Sequence, residues 1–181
     1  MKKKILTYAV RLAATTLVLW LVTLSGAMCK LPDGAYIHIG DAAVYLAAIL
    51  LPWHIALPGA ALGCMFADLS LGSVNYVLAT LIIKSITVGV IKALVKVSDK
   101  PLTQDILVSL SGLCTVCGYY VADVIKALDN TDSFMDAMVY STEPIMYNVI
   151  QALICALIFM VLSPLARSIK YKFQKKNEVD E

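Results

Sequence analysis

Long apolar runs separated by short polar clusters organise the chain throughout. A helix that crosses a bilayer needs ~20 apolar residues, with a usable range of ~17–25. On that measure the pattern predicts six helices, at 5–28, 41–51, 57–71, 76–96, 103–125 and 144–165. The breaks between them carry turn chemistry. Pro32, Asp33 and Gly34 follow the first run, and Pro52 and Pro58 bracket Trp53 and His54. Gly72 to Asn75 forms a tight turn, and Ser98 to Pro101 forms a further loop. Asp41 is placed to cap the short second helix, and Pro144 to open the sixth. The stretch 126–142 is polar and acidic, and 166–181 reads as a charged tail. The expected fold class is therefore all-α, an integral membrane bundle of six transmembrane helices in one domain.

Composition supports lipid as the solvent. The 181 residues are 60% hydrophobic and only 15% charged, where soluble domains carry ~25% charged residues. Mean hydropathy is +0.79. Such a chain lacks the polar surface to coat a water-facing globule. Six spans with short loops leave no room for a soluble domain. The first apolar run is too long for a signal peptide and reads as a retained helix. No aromatic-interleaved basic run points to nucleic acid. Four of the five cysteines, Cys64, Cys114, Cys117 and Cys155, lie in apolar stretches, with Cys29 at the end of the first. Cys114-x-x-Cys117 lacks the second pair or neighbouring His of a metal site. Neither a metal nor a cofactor is called for.

The placement of charge sets an orientation. Lys2 to Lys4, Arg11, Lys92, Lys96, Lys100 and the five basic residues from Arg167 to Lys176 fall at one membrane face. Lys30 and Lys126 fall at the other. The positive-inside rule then makes both termini cytosolic in a multi-pass protein of the cell membrane.

Ionisable residues inside spans are costly and mark function by default. Lys84, Asp68, Asp123 and Glu143, with Asn148 and Gln151, all fall in the outer half, whereas the inner half offers Arg11 and Lys92. Seven of the nine tyrosines share that outer side: Tyr36, Tyr45, Tyr76, Tyr119, Tyr120, Tyr140 and Tyr147. An interfacial aromatic belt would populate both faces. A one-sided polar and aromatic cluster instead reads as a binding pocket opening outward, with rings to stack on a flat heterocycle. Lys84 carries two readings, a ligand contact or an ion pair with Asp68 or Asp123. Ala9-x-x-x-Ala13 and Gly59-x-x-x-Gly63-x-x-x-Ala67 are small-residue stripes, suited to intrachain packing or to docking a partner.

One segment carries a family resemblance. Tyr36-Ile-His-Ile-Gly40-Asp41-Ala-Ala-Val-Tyr45-Leu-Ala-Ala, then Ala67-Asp68-Leu, then Ala79-Thr80-Leu-Ile-Ile-Lys84, resembles the substrate-binding S components of energy-coupling factor (ECF) vitamin importers, the riboflavin type above all. The sequence departs at Leu51-Pro-Trp-His-Ile, where many members have a Gly-Pro turn. The resemblance implies a substrate-binding subunit that captures a vitamin or precursor (riboflavin, pyridoxine-like or pyrimidine-like) from outside. It implies a pocket of Tyr36, His38, Asn75, Tyr76, Lys84, Tyr119, Asp123, Glu143, Tyr147 and Asn148. It also implies that Ala9 and Ala13 meet a transmembrane T component, with two ATPase subunits completing the complex. The chain has no G-x-x-x-x-G-K-[ST] phosphate loop of its own, so hydrolysis falls to a partner.

The sequence bears on two other functional classes. Ser109-Leu-Ser111-Gly112 resembles an intramembrane serine protease only superficially. That chemistry needs a buried His as base, and His38 and His54 both fall in loops, so the chain is not expected to be an enzyme. A stand-alone small-molecule carrier is the alternative, but it calls for an inverted repeat that the sequence does not show.

Overall fold

The computed structural model describes residues 2–26 and 38–179. The fold is all-helical across them. Helix α1 spans Lys2–Gly26, α2 Gly40–Leu50, α3 Trp53–Leu71, α4 Val77–Leu94, α5 Pro101–Leu110, α6 Gly112–Ala127, α7 Phe134–Tyr140 and α8 Glu143–Val179. A single 3-10 turn, Val74–Tyr76, leads into α4. Among the described residues five stretches are long and apolar enough to cross a membrane: Lys2–Gly26, Trp53–Leu71, Val74–Leu94, Pro101–Ala127 and Glu143–Lys172. The sixth run, Gly40–Leu50, is apolar but short.

At ~1.5 Å per residue an eleven-residue helix rises only about 16 Å, roughly half a ~30 Å hydrocarbon core. The end of α2 leaves carbonyls without intrahelical donors. Two lysines supply the donors. Lys92 Nζ donates to the Leu51 carbonyl at 2.5 Å and Lys170 Nζ to the Ile49 carbonyl at 3.2 Å.

Several boundaries differ from the sequence expectation, each with a local cause. Helix α3 starts at Trp53 and takes in Pro58. Proline has no N–H to offer the carbonyl four residues back, and the Tyr8 hydroxyl of α1 donates to that His54 carbonyl at 3.2 Å. The run expected as one helix over 103–125 is two, broken at Ser111 beside Gly112. The Tyr45 hydroxyl lies 3.0 Å from where a Cβ on Gly112 would stand, so the chain passes close to α2 at the break. Helix α7 falls in the stretch read as polar loop. Ser133 starts it by accepting from the Asp136 N–H at 3.1 Å while donating to the Asp136 carboxylate at 2.6 Å, a reciprocal cap of the capping-box kind. Asp41 does not cap α2. It lies in the first turn, and α2 has no side-chain cap. Helix α8 runs on past 165 through the charged segment to Val179.

The two glycines of the α3 stripe explain how α1 sits. A Cβ at Gly59 would meet Thr15 Cγ2 at 2.7 Å, and one at Gly63 would meet Leu19 Cβ and the Thr16 carbonyl at 2.8 Å. Helix α3 thus spends its glycines on backbone-close contact with α1, as small residues do between membrane helices. The main core gathers around α2, with Val44, Tyr45, Ala48, Ala56, Ala60, Val88, Ile91, Val108 and Phe159 buried together. Tyr45 and Phe159 meet edge-to-face at 5.8 Å. The elements leave α1, α3 and α6 ending, and α2, α4 and α8 beginning, at one end of the bundle. That convergence builds the site.

Candidate functional site

Five helix ends and the 3-10 turn into α4 surround a cavity of about 300 Å³. Thr23 comes from α1, His38 from the approach to α2, Asp68 and Leu71 from α3, Ser73 and Tyr76 from the turn into α4, Tyr119 and Asp123 from α6, and Pro144, Tyr147, Asn148 and Gln151 from α8. Gly72 makes the α3 end possible. Its φ of +78° is the left-handed conformation that favours glycine, and it lets the Ser73 N–H bond back to the Asp68 carbonyl at 2.9 Å.

Beneath the cavity lies a fully buried charge pair. Lys84 Nζ donates to Asp41 Oδ1 at 2.5 Å, and both side chains are 1% exposed. The Gln151 amide donates to the other Asp41 oxygen at 3.2 Å, and Gln151 Oε1 accepts the His38 N–H at 3.4 Å. Thr115 Oγ1 accepts a long bond from Lys84 at 3.5 Å. One carboxylate thus joins α2 to α4 and α8. Gln151 carries that link up to the cavity wall. Buried charges persist when they are paired and hydrogen-bonded, and this pair meets both conditions.

The walls are aromatic and polar together. The Tyr119 ring has the Lys84 ammonium 5.3 Å from its centroid, and its hydroxyl shares a 2.8 Å hydrogen bond with Thr80. Tyr76 stands edge-to-face to Tyr119 at 6.1 Å. The Tyr76 hydroxyl donates to Asp123 Oδ1 at 2.5 Å, and Lys126 donates to that hydroxyl at 3.1 Å. Asp68 Oδ2 is buried without a hydrogen-bond partner among the described residues. Burial pushes the His38 imidazole down to about 4, against the pull of the Asp41 carboxylate, so the ring is neutral near pH 7. Flat apolar faces with a few fixed polar groups are what small-molecule pockets use for affinity and orientation.

Of the residues singled out in the sequence, His38, Tyr76, Tyr119, Asp123, Tyr147 and Asn148 converge on this cavity. Tyr36 lies outside the described residues. Asn75 and Glu143 stay exposed beside it, and neither forms its wall. Lys84 sits below the wall, paired with Asp41, where Asp68 and Asp123 had been the expected partners. Thr23, Leu71, Ser73 and Pro144 were not anticipated. Asp68 and Gln151 were noted as polar residues in spans but not assigned to the pocket. Ser109 and Ser111, weighed as nucleophiles, donate to the Asp105 and Val108 carbonyls at 2.8 and 2.5 Å.

The family model of the ECF-type riboflavin transporter S component matches residues 2–168. The chain belongs to this family. No curated protein matches it significantly. The family is one of transporter subunits and not of enzymes: an S component is the substrate-binding subunit of an ECF transporter, within a membrane complex that takes up a small molecule.

In this S component the segments that carried the resemblance meet in space. Asp41 of the Gly40-Asp41 motif and Lys84 form the buried pair. Asp68 of Ala67-Asp68 lines the cavity above them. Gly40 is required by a close approach, because a Cβ there would lie within bonding range of Thr23 Oγ1.

Proposed function

We propose that this S component captures riboflavin, or a heterocycle of similar size and polarity, in the cavity between α1, α3, α6 and α8. The observation that carries the proposal is the cavity itself, with Tyr76, Tyr119 and Tyr147 beside Asp68, Asp123, Asn148 and Gln151. Tyrosine rings stack on a planar ligand, and fixed amide and carboxyl groups read its polar edge. The basic residues concentrate at the opposite end of the bundle, which supports a cavity facing outside and cytosolic termini.

The partner surface lies on α1. Ala9 and Ala13 are exposed and line a shallow apolar groove with Leu12, Trp20, Leu62 and Phe66. Small residues on a lipid-facing helix permit close approach by another membrane helix. We assign this groove to the T component of the complex, whose two ATPase subunits supply the energy.

The direct test is mass spectrometry of small molecules released from protein purified in mild detergent, followed by titration of riboflavin into the emptied protein. The expected outcome is a flavin recovered near one per chain and saturable quenching of flavin fluorescence. Emptied, folded protein that fails to quench riboflavin would overturn the ligand assignment.

A further inference from the structure

A basic cavity of about 500 Å³ lies at the end of the bundle opposite the ligand cavity. Lys3, Lys4 and Arg11 reach it from α1, and His54 from the start of α3. Several other basic side chains at this end are engaged within the bundle. Lys92 and Lys170 bond the carbonyls of Leu51 and Ile49, and Arg167 pairs with Asp105. Lys3, Lys4 and Arg11 differ. Among the described residues their side chains have no ion pair and no hydrogen bond. No Asp or Glu lines their cavity either. Cations gathered without an acid repel one another, so the complement of this cavity is an anion.

The cavity meets an apolar groove of about 750 Å³ between α1 and α3, and Tyr8 lines both. Leu12, Leu17, Leu62 and Phe66 supply much of the groove wall. Trp20 marks its far end, where the indole N–H donates to Ser70 Oγ at 3.0 Å and Ser70 donates to the Phe66 carbonyl at 2.7 Å. The polar atoms there are already satisfied, and the groove asks for an apolar occupant. From Tyr8 to Trp20, α1 rises about 18 Å at ~1.5 Å per residue. One leaflet is half of a ~30 Å hydrocarbon core, or about 15 Å. At the junction of cavity and groove, His54 stacks on Tyr8 at 5.9 Å and meets Trp53 edge-to-face at 6.4 Å. Trp53 is 65% exposed, and exposed aromatic rings of this kind sit at the level of lipid headgroups.

We propose that the cavity and groove together bind one anionic phospholipid. Lys3, Lys4 and Arg11 hold its phosphate and headgroup by charge-assisted hydrogen bonds, and an acyl chain lies along the groove between α1 and α3. The charge complementarity selects the headgroup, and the length of the groove matches a chain of the same leaflet. On the orientation proposed above, that leaflet is the cytosolic one. The groove is also the surface assigned to the T component, so the two take it in turn. The lipid covers the groove while the subunit is alone and leaves as the T component docks.

The test is native mass spectrometry of the full chain, released from micelles doped equally with phosphatidylglycerol and phosphatidylcholine of the same acyl chains. The expected outcome is one phosphatidylglycerol retained per chain, in preference to phosphatidylcholine. Equal retention of the two lipids would overturn the proposal. Lys3→Gln with Lys4→Gln and Arg11→Gln is expected to lower the preference at least about ten-fold, since each basic residue near an anionic lipid contributes about five-fold. All three positions are exposed, and an unchanged unfolding temperature in lipid-free detergent checks that the variant folds. Arg11→Gln alone, expected to lose about five-fold, serves if it does not. Lys96→Gln with Lys100→Gln and Lys172→Gln removes the same charge at the same end, outside the cavity. It is expected to keep the preference. Equal loss in the two triple variants would mean diffuse attraction and overturn the site, as would loss in neither. Excess inorganic phosphate is expected to leave the lipid in place. Full displacement by phosphate would mean a free-anion site and overturn the lipid assignment. No flavin enters the measurement, so its outcome is separate from the ligand reading.

Discussion

Two ion pairs sit at opposite ends of the bundle and are built for different surroundings. Lys84–Asp41 lies under the cavity, with both side chains 1% exposed. Arg167–Asp105 lies toward the other end, at 2.7 Å, with side chains 28% and 8% exposed. The first pair has no route to water. Its lysine satisfies a carboxylate on α2, and that carboxylate holds Gln151, which holds the backbone of His38 at the cavity. The second pair reaches solvent through a long arginine side chain. It has helpers on both sides: Ser163 donates to Asp105 at 2.5 Å, and the Arg167 guanidinium donates to Gln104 Oε1 at 2.8 Å. Depth therefore decides what each pair does. The deep pair couples the stability of the bundle to the geometry of the site. The shallow pair fastens α5 to α8 far from it.

That comparison is sharpest at Lys84. Lys84→Met would strand the Asp41 carboxylate, and removing one partner of a buried pair costs about 3–5 kcal/mol. The expected outcome is a large fall in thermal unfolding temperature in detergent, with weakened riboflavin binding because Lys84 no longer fixes the carboxylate that holds Gln151 and, through it, His38. Adding Asp41→Asn removes the stranded charge and should restore most of the stability. A double variant as unstable as the single one would break the comparison, because uncompensated charge would then not be the source.

Arg167→Met is expected to have a smaller effect. Asp105 keeps its Ser163 donor and lies nearer water, so the loss should be about 1–3 kcal/mol. Riboflavin affinity should not change. If Arg167→Met weakened binding as much as Lys84→Met, the two ends would be coupled and the distinction between them would fall.

The sequence made one of these pairs half visible and hid the other. Lys84 stands out as a lysine in an apolar run, and such a residue demands a partner. Its partner did not stand out, because Asp41 begins a helix and an acid there reads as a cap. Only the tertiary packing of α2 against α4 turns that carboxylate toward Lys84. The inner half was read as offering only Arg11 and Lys92, and this needs correction. Asp105 lies one turn into α5 and is buried against α8 by a residue 62 positions away, a separation no periodicity reveals. The cavity was legible in outline for a simple reason. Tyrosines and polar residues at the same ends of different helices must share one end of a bundle. The break at Ser111–Gly112 was not legible, because it falls inside one continuous apolar run. The start of α7 was missed, although Ser133-x-x-Asp136 carries the chemistry of a capped helix. The two small-residue stripes looked equivalent in sequence, yet Gly59 and Gly63 face α1 while Ala9 and Ala13 face outward.

Gln104 gives the finest division between the two ends. Its amide donates at 2.8 Å both to the Val95 carbonyl and to the Ser98 carbonyl, and its oxygen accepts from Arg167. It therefore joins the loop between α4 and α5 to the shallow ion pair. Gln104→Ala leaves two loop carbonyls without that donor, but the loop is near solvent and water can replace the amide. The expected loss is about 1 kcal/mol, the net worth of ordinary hydrogen bonds that water can replace. Backbone hydrogen exchange should show the loss as faster exchange from Val95 to Gln104, with no change at Tyr76 or Tyr119. Faster exchange at the cavity wall would mean that α4 transmits strain along its length, and that the bundle's two ends are one mechanical unit.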